Sequence, residues 1–145
     1  MRCPLVVAGA LMVAAAFGAA APVSAHALFP GSQTVRTTGD RAFVTLHAVN
    51  GRKDVSSFVV EVFEYETWRP YRLAVATPQR LVVPAQVDET EATPDRQIRV
   101  LVDLDGQPQR RLRVCTKSVV PHDMFRAKTT EIATRVCANV LVERF

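Results

Sequence analysis

The sequence predicts an all-β chain folded as an antiparallel two-sheet sandwich of about seven strands. Three observations carry this. Apolar and polar residues alternate with a period of two in several short runs, as in Phe58-Val59-Val60-Glu61-Val62-Phe63-Glu64-Tyr65. No window shows a convincing apolar period of 3.6. Turn residues such as Asn50-Gly51 and Asp105-Gly106 punctuate the runs at regular spacing.

The first element is not part of the sandwich. Met1-Arg2 gives a short positive start, and Leu5 to Ala21 is an almost unbroken apolar run. Pro22-Val23-Ser24-Ala25 then supplies small residues at the places a signal peptidase reads. Residues 1–25 are therefore expected to be a cleaved secretory signal, with 26–145 as one folded domain in the periplasm. A cut after Ala27 is the alternative. The run is short and nothing follows that would stop transfer, so no membrane span is expected in the mature chain.

The extended segments follow in order. Gly31-Ser32 opens a turn. Ala42 to Val49 alternates and ends at Asn50-Gly51, a strong turn pair. Phe58 to Tyr65 places Phe58, Val60 and Val62 on one side, and Thr67-Trp68-Arg69-Pro70 breaks it. Leu81-Val82-Val83 is a short or edge segment, since Pro84 cannot donate to a ladder. Asp88 to Asp95 is an acidic, solvated loop. Ile98, Val100 and Val102 alternate with Arg99, Leu101 and Asp103. After the turn at Asp105-Gly106-Gln107-Pro108, Leu112, Val114 and Thr116 alternate with Arg113, Cys115 and Lys117. His122 to Lys128 reads as a loop, and Thr130 to Val142 as the longest extended stretch. The commonest fold with this pattern is Ig-like. A small closed barrel is the competing architecture.

Composition narrows the function classes. With 145 residues, 48% hydrophobic and 22% charged, the chain bounds one globular domain and leaves no room for a two-domain cofactor enzyme. The formal charge of +4 is mild, and no basic run interleaved with aromatics points to nucleic acid. There is no Gly-rich phosphate loop and no nucleophile elbow, so no enzymatic activity and no cofactor are expected. Glu61, Glu64 and Glu66 read as a solvated strand face and its exit. Arg110, Arg111 and Arg113 read as a cationic edge that discourages pairing, with an acidic partner as the other reading.

Cys3 leaves with the signal. Cys115 and Cys137 remain, and an even count in an oxidising compartment reads as one disulfide. Metal binding is a minor alternative. If cleavage exposes His26 as the N-terminus, its amino group and imidazole form a chelate suited to Cu(II), with His47 or His122 as a second imidazole.

Several segments carry a resemblance. Cys115-Thr116-Lys117-Ser118-Val119-Val120-Pro121 resembles the end of strand F in periplasmic pilus chaperones of the PapD-like type. In the subfamily with a long F-to-G loop, a cysteine, a lysine two residues on and an Ile-Pro-Pro-like ending are typical there. Cys137-Ala138-Asn139-Val140-Leu141-Val142 is similar to that subfamily's strand G ending. Val49-Asn50, Ala76-Thr77-Pro78 with Val83-Pro84, and Arg96-Gln97-Ile98-Arg99-Val100 are similar to its strand B ending, its Thr-Pro-Pro and Pro-Gly segments, and its strand E. The similarity runs from Phe29 to Val142.

The resemblance implies the N-terminal Ig-like domain of such a chaperone, without the second domain. It implies that the Cys115–Cys137 bridge joins the last two strands. It also implies a non-enzymatic protein that lends strand G to a pilin-like subunit by β-augmentation, with an usher as a further partner. Ile132, Thr134 and Val136 would then be donor side chains on the strand G edge. Asn139 stands where the family has its anchor lysine. His26-Ala27-Leu28-Phe29 offers a histidine where the family has an arginine. The plain alternative is an exported structural Ig-like domain without chaperone activity.

Overall fold

A computed structural model describes residues 26–52, 56–88, 90, 92–119 and 134–145. Nine strands are present among them: β1 (Ala27–Phe29), β2 (Ser32–Thr37), β3 (Arg41–Val49), β4 (Ser56–Glu64), β5 (Ala74–Thr77), β6 (Arg80–Val83), β7 (Asp95–Asp103), β8 (Gln109–Val119) and β9 (Arg135–Arg144). They form a four-stranded sheet in the order β1-β3-β7-β5 and a five-stranded sheet in the order β2-β9-β8-β4-β6.

Period-two alternation builds the core between the sheets. One face contributes Ala42, Val44, Leu46 and Ala48 of β3 with Ile98, Val100 and Val102 of β7. The facing sheet contributes Phe58, Val60, Leu81, Val83, Leu112, Val114, Ala138, Val140 and Val142. All are buried, and each stabilises the fold by about 1.5–3 kcal/mol per large apolar side chain. The expected inward side of the fourth strand, Phe58, Val60 and Val62, is the one observed.

The strand count exceeds the expected seven because the segments around Gly31 and Ala74–Thr77 are strands. β1 pairs with β3 in one sheet, and β2 pairs with β9 in the other. The chain therefore crosses between sheets at Pro30-Gly31, where a simple turn was expected. Only Val35 is strongly apolar on the inward side of β2, which hides its period in the sequence. The β2–β9 pairing is parallel, Ser32 opposite Asn139 through Thr37 opposite Arg144. Every other pairing is antiparallel, so the five-stranded sheet is mixed where a fully antiparallel sandwich was expected.

Asn50-Gly51 does not close a hairpin, because β3 and β4 lie in different sheets. Asn50 is instead fully buried. Its amide donates to the carbonyls of Val83 and Pro84 at 3.3 and 2.9 Å, and its carbonyl accepts the Arg52 N–H at 3.0 Å. It pins the end of β6 to the crossover. Asp105-Gly106 does form a tight turn, but it too carries the chain from one sheet to the other, from β7 to β8, and closes no hairpin: both residues have positive φ, 53° and 70°, and the Gln107 N–H donates to the Leu104 carbonyl at 3.0 Å.

Candidate functional site

β9 is the strand on which the sequence places the partner edge. It lies inside its sheet, between β8 and β2. β8 accompanies it from Arg135 to Glu143, whereas β2 accompanies it only from Asn139 to Arg144. The Ser118 N–H donates to the Thr134 carbonyl, which fixes the alternation: even-numbered backbone groups of β9 bond β8, and odd-numbered ones turn away from it. The Asn139 N–H is the first to be met on that far side, by the Gly31 carbonyl at 2.9 Å. Among the described residues, no strand pairs with Arg135–Ala138 there. Among the described residues, strand G is thus an edge over Arg135 to Ala138 and is covered by β2 from Asn139 onward.

The named residues of this strand do not share one face. Val136 points inward and packs against the core. Asn139 is exposed on the opposite face, beside Arg113 of β8 and Ser32 of β2. Thr134 is engaged at the strand's approach. Its N–H donates to the Ser118 Oγ at 2.9 Å, and its hydroxyl lies 3.2 Å from Ser118 Oγ and 3.2 Å from His26 Nδ1. Ile132, Thr130 and the loop at His122 to Lys128 lie outside the described residues.

His26 is 3% exposed. Its ring sits 4.7 Å from that of Phe58, and Nε2 lies 3.4 Å from the Thr116 carbonyl. Burial lowers the imidazole pKa from its ordinary value; the Thr116 bond opposes this, and Arg52 adds a little to the lowering. With Thr116 and Ser118 also buried, this end of the core is polar. No feature of the sequence announced that cluster, because its members are scattered over three segments.

His47 sits elsewhere. It is on the outer face of the four-stranded sheet, with Nδ1 2.6 Å from Asp95 Oδ2. The two candidate copper ligands therefore lie on opposite sides of that sheet and are not brought together. Among the described residues no group of three or more His, Cys, Asp or Glu is placed to hold a metal.

Cys115 and Cys137 face each other across β8–β9 and are bonded, S–S 2.07 Å. The alternation makes theirs a non-hydrogen-bonded pair, the closer of the two kinds. Cys115 is fully buried although it points outward. Beside it, Arg135 of β9 reaches Glu61 of β4 at 2.9 Å, an ion pair that spans β8 near the level of the disulfide. Arg110, Arg111 and Arg113 belong to β8, which is hydrogen-bonded on both sides, so they are not a cationic edge. Among the described residues no helix is long and apolar enough to cross a membrane.

No family model matches the sequence, and no curated protein matches it. Solved structures do. The Escherichia coli chaperone DraB matches with a TM-score of 0.62 and 16% identity, over 82% of this chain and 55% of DraB. The Salmonella enterica SafA pilin in complex with the SafB chaperone matches at 0.60 and 15%, over 82% of this chain and 54% of the matched chain. SSP-19, an MSP-domain protein-like family member of Caenorhabditis elegans, matches at 0.54 and 10%, over 81% of this chain and 98% of SSP-19. The chain spans about half the length of the chaperones it matches, and none of these neighbours is described as an enzyme. The described chain is an Ig-like sandwich that shares the fold of about half of a PapD-like fimbrial chaperone.

Proposed function

We propose that this chain is a periplasmic, non-enzymatic, pilus-chaperone-like protein that binds subunits of a surface structure by lending its last strand. The observation that carries the reading is the uncovered stretch of β9 from Arg135 to Ala138, on a fold shared with chaperones. The backbone N–H and C=O groups of Arg135 and Cys137 turn toward that open side, where an incoming extended segment can continue the sheet. Such pairing satisfies polar groups and hides an edge that would otherwise promote aggregation. SafB, in its complex with the SafA pilin, supports a protein partner of the pilin type. Ile132, Thr134 and Val136 supply the donor side chains in this reading, with Asn139 in place of an anchor cation, and residues 1–25 direct export.

The test is co-expression with the pilin-like and usher products of neighbouring genes. Ile132→Asp is expected to abolish co-purification of a subunit while the melting temperature stays unchanged. Co-purification that survives this substitution overturns donor-strand binding. A second reading, an exported structural domain without chaperone activity, is favoured by the match to nearly the whole of SSP-19. It predicts no subunit capture by the unsubstituted protein either.

A further inference from the structure

The outer face of the five-stranded sheet carries a continuous chain of cations and rings. The Arg135 guanidinium lies 5.2 Å from the Phe63 ring centre, and Phe63 lies 5.8 Å from Trp68. Trp68 stacks with Arg113 at 4.3 Å, Arg113 with Tyr65 at 4.1 Å, and Tyr65 with Arg111 at 4.4 Å. Lys117 extends the cationic column of β8 beyond Arg113 and is exposed. Residues 111 to 117 of a strand span about 20 Å.

Two features make this more than a solvated face. Trp68 holds a φ of 57°, a region a bulky residue enters at a cost. It is nevertheless left 45% exposed, with one face turned to Arg113. In addition, stacking fixes each guanidinium plane, which leaves its N–H edges pre-oriented for carboxylates. The array already holds two: Glu61 on Arg135 at 2.9 Å and Glu66 beside Arg111 at 4.0 Å. Positive charge exceeds this internal supply, because Arg113 spends Nε on the Tyr65 carbonyl and Lys117 is in none of the ion pairs described.

We infer that the Arg111–Arg113–Arg135 face, with Trp68, is a docking surface for a linear uronate polysaccharide. Charge complementarity calls for an extended anion, because the cations are strung along about 20 Å of strand rather than gathered round one concave site. A peptide draws affinity from main-chain bonds at a free edge, and β8 offers none, being paired with both β4 and β9. Single-stranded nucleic acid needs successive bare rings, and here Phe63 and Tyr65 are only partly exposed and capped by guanidinium groups. Pyranose rings stack on one exposed indole while their carboxylates meet the guanidinium edges. This surface shares Arg135 with the rim of β9, using its side chain where the rim uses its backbone.

The experiment measures binding of the full exported protein to polygalacturonate by calorimetry at two salt concentrations, with poly-glutamate and single-stranded DNA at equal charge as comparisons. Salt-sensitive binding to polygalacturonate that exceeds both comparisons is expected. Arg111→Gln and Lys117→Gln are each expected to weaken it roughly threefold to tenfold, and Arg96→Gln on the other sheet to leave it unchanged. Trp68→Ala is expected to weaken polygalacturonate binding and spare poly-glutamate binding. Circular dichroism confirms that each variant is folded. No binding, equal or tighter binding to either comparison polymer, or an Arg96→Gln effect as large as that of Arg111→Gln overturns the inference.

Discussion

Nδ1 of His26 lies 3.2 Å from Oγ1 of Thr134, so a buried imidazole ties β1 to the approach of β9. The folded protein holds this group neutral below its ordinary pKa of 6.5, chiefly through burial. In the window just below 6.5 the unfolded chain therefore binds more protons than the folded one. Its contribution is whole above that window and is lost as the pH falls through it. The melting temperature is expected to drop between pH 7.5 and pH 5, and His26→Phe to reduce that drop. Asp88 and Asp103 are held below the usual carboxylate range, first by the Thr90 and Asp105 backbone N–H groups respectively. Their contributions are lost only at still lower pH, so the two effects separate. Identical pH profiles for the variant and the parent would contradict the assignment to His26.

The disulfide closes a sequence separation of 22 residues. In the chain-entropy account a loop of this length stabilises by about 3 kcal/mol. Replacing both cysteines by alanine is expected to lower the unfolding free energy in urea by about that amount, with an equal or steeper slope because the unlinked unfolded chain is more expanded. A loss under about 1 kcal/mol would contradict the loop-closure account.

Asn50 satisfies three backbone groups from a fully buried position. Asn50→Ala strands the Val83 and Pro84 carbonyls and leaves a void, at an expected cost of about 2–3 kcal/mol. Asn50→Asp is expected to cost more, since a carboxylate cannot donate to those carbonyls. Equilibrium unfolding decides, and an Asp variant more stable than the Ala variant would show that the amide donor is not what matters.

At Gly106 the φ is 70°, and an added Cβ would meet nothing within 4 Å. The cost of Gly106→Ala is therefore backbone strain alone, about 1 kcal/mol. Gly106→Asn is expected to cost less, because asparagine tolerates this region. Urea midpoints of the two variants test the order.

Much of the fold was legible because long strands write their burial into the sequence. β3, β4, β7 and β8 each alternate with valine, leucine, isoleucine or phenylalanine inward, and the Asp-Gly turn sits where the chain reverses. β1, β2 and β5 were not legible. Their inward residues are few, small or polar (Leu28; Gln33 and Val35; Ala74 and Ala76), so the period is faint. The parallel pairing of β2 with β9 joins segments about a hundred residues apart and has no local signal at all. Of the candidate site, the pair Cys115–Cys137 was readable from count and resemblance. The capping of half of β9 by β2 was not, nor was the buried place of His26. The arginine–ring chain was equally hidden, because Phe63, Trp68 and Arg135 meet only once the strands are in register.

Because β2 runs beside β9 only from Asn139 onward, the rim has a built-in stop. Under the proposed strand-lending, a visiting segment follows the described rim for four residues, Arg135 to Ala138, before it meets Gly31. That is about 14 Å of extended chain. The length of a guest strand, and not only its side chains, thereby becomes a selectable property, and lengthening or trimming the stretch before Ser32 would reset the ruler.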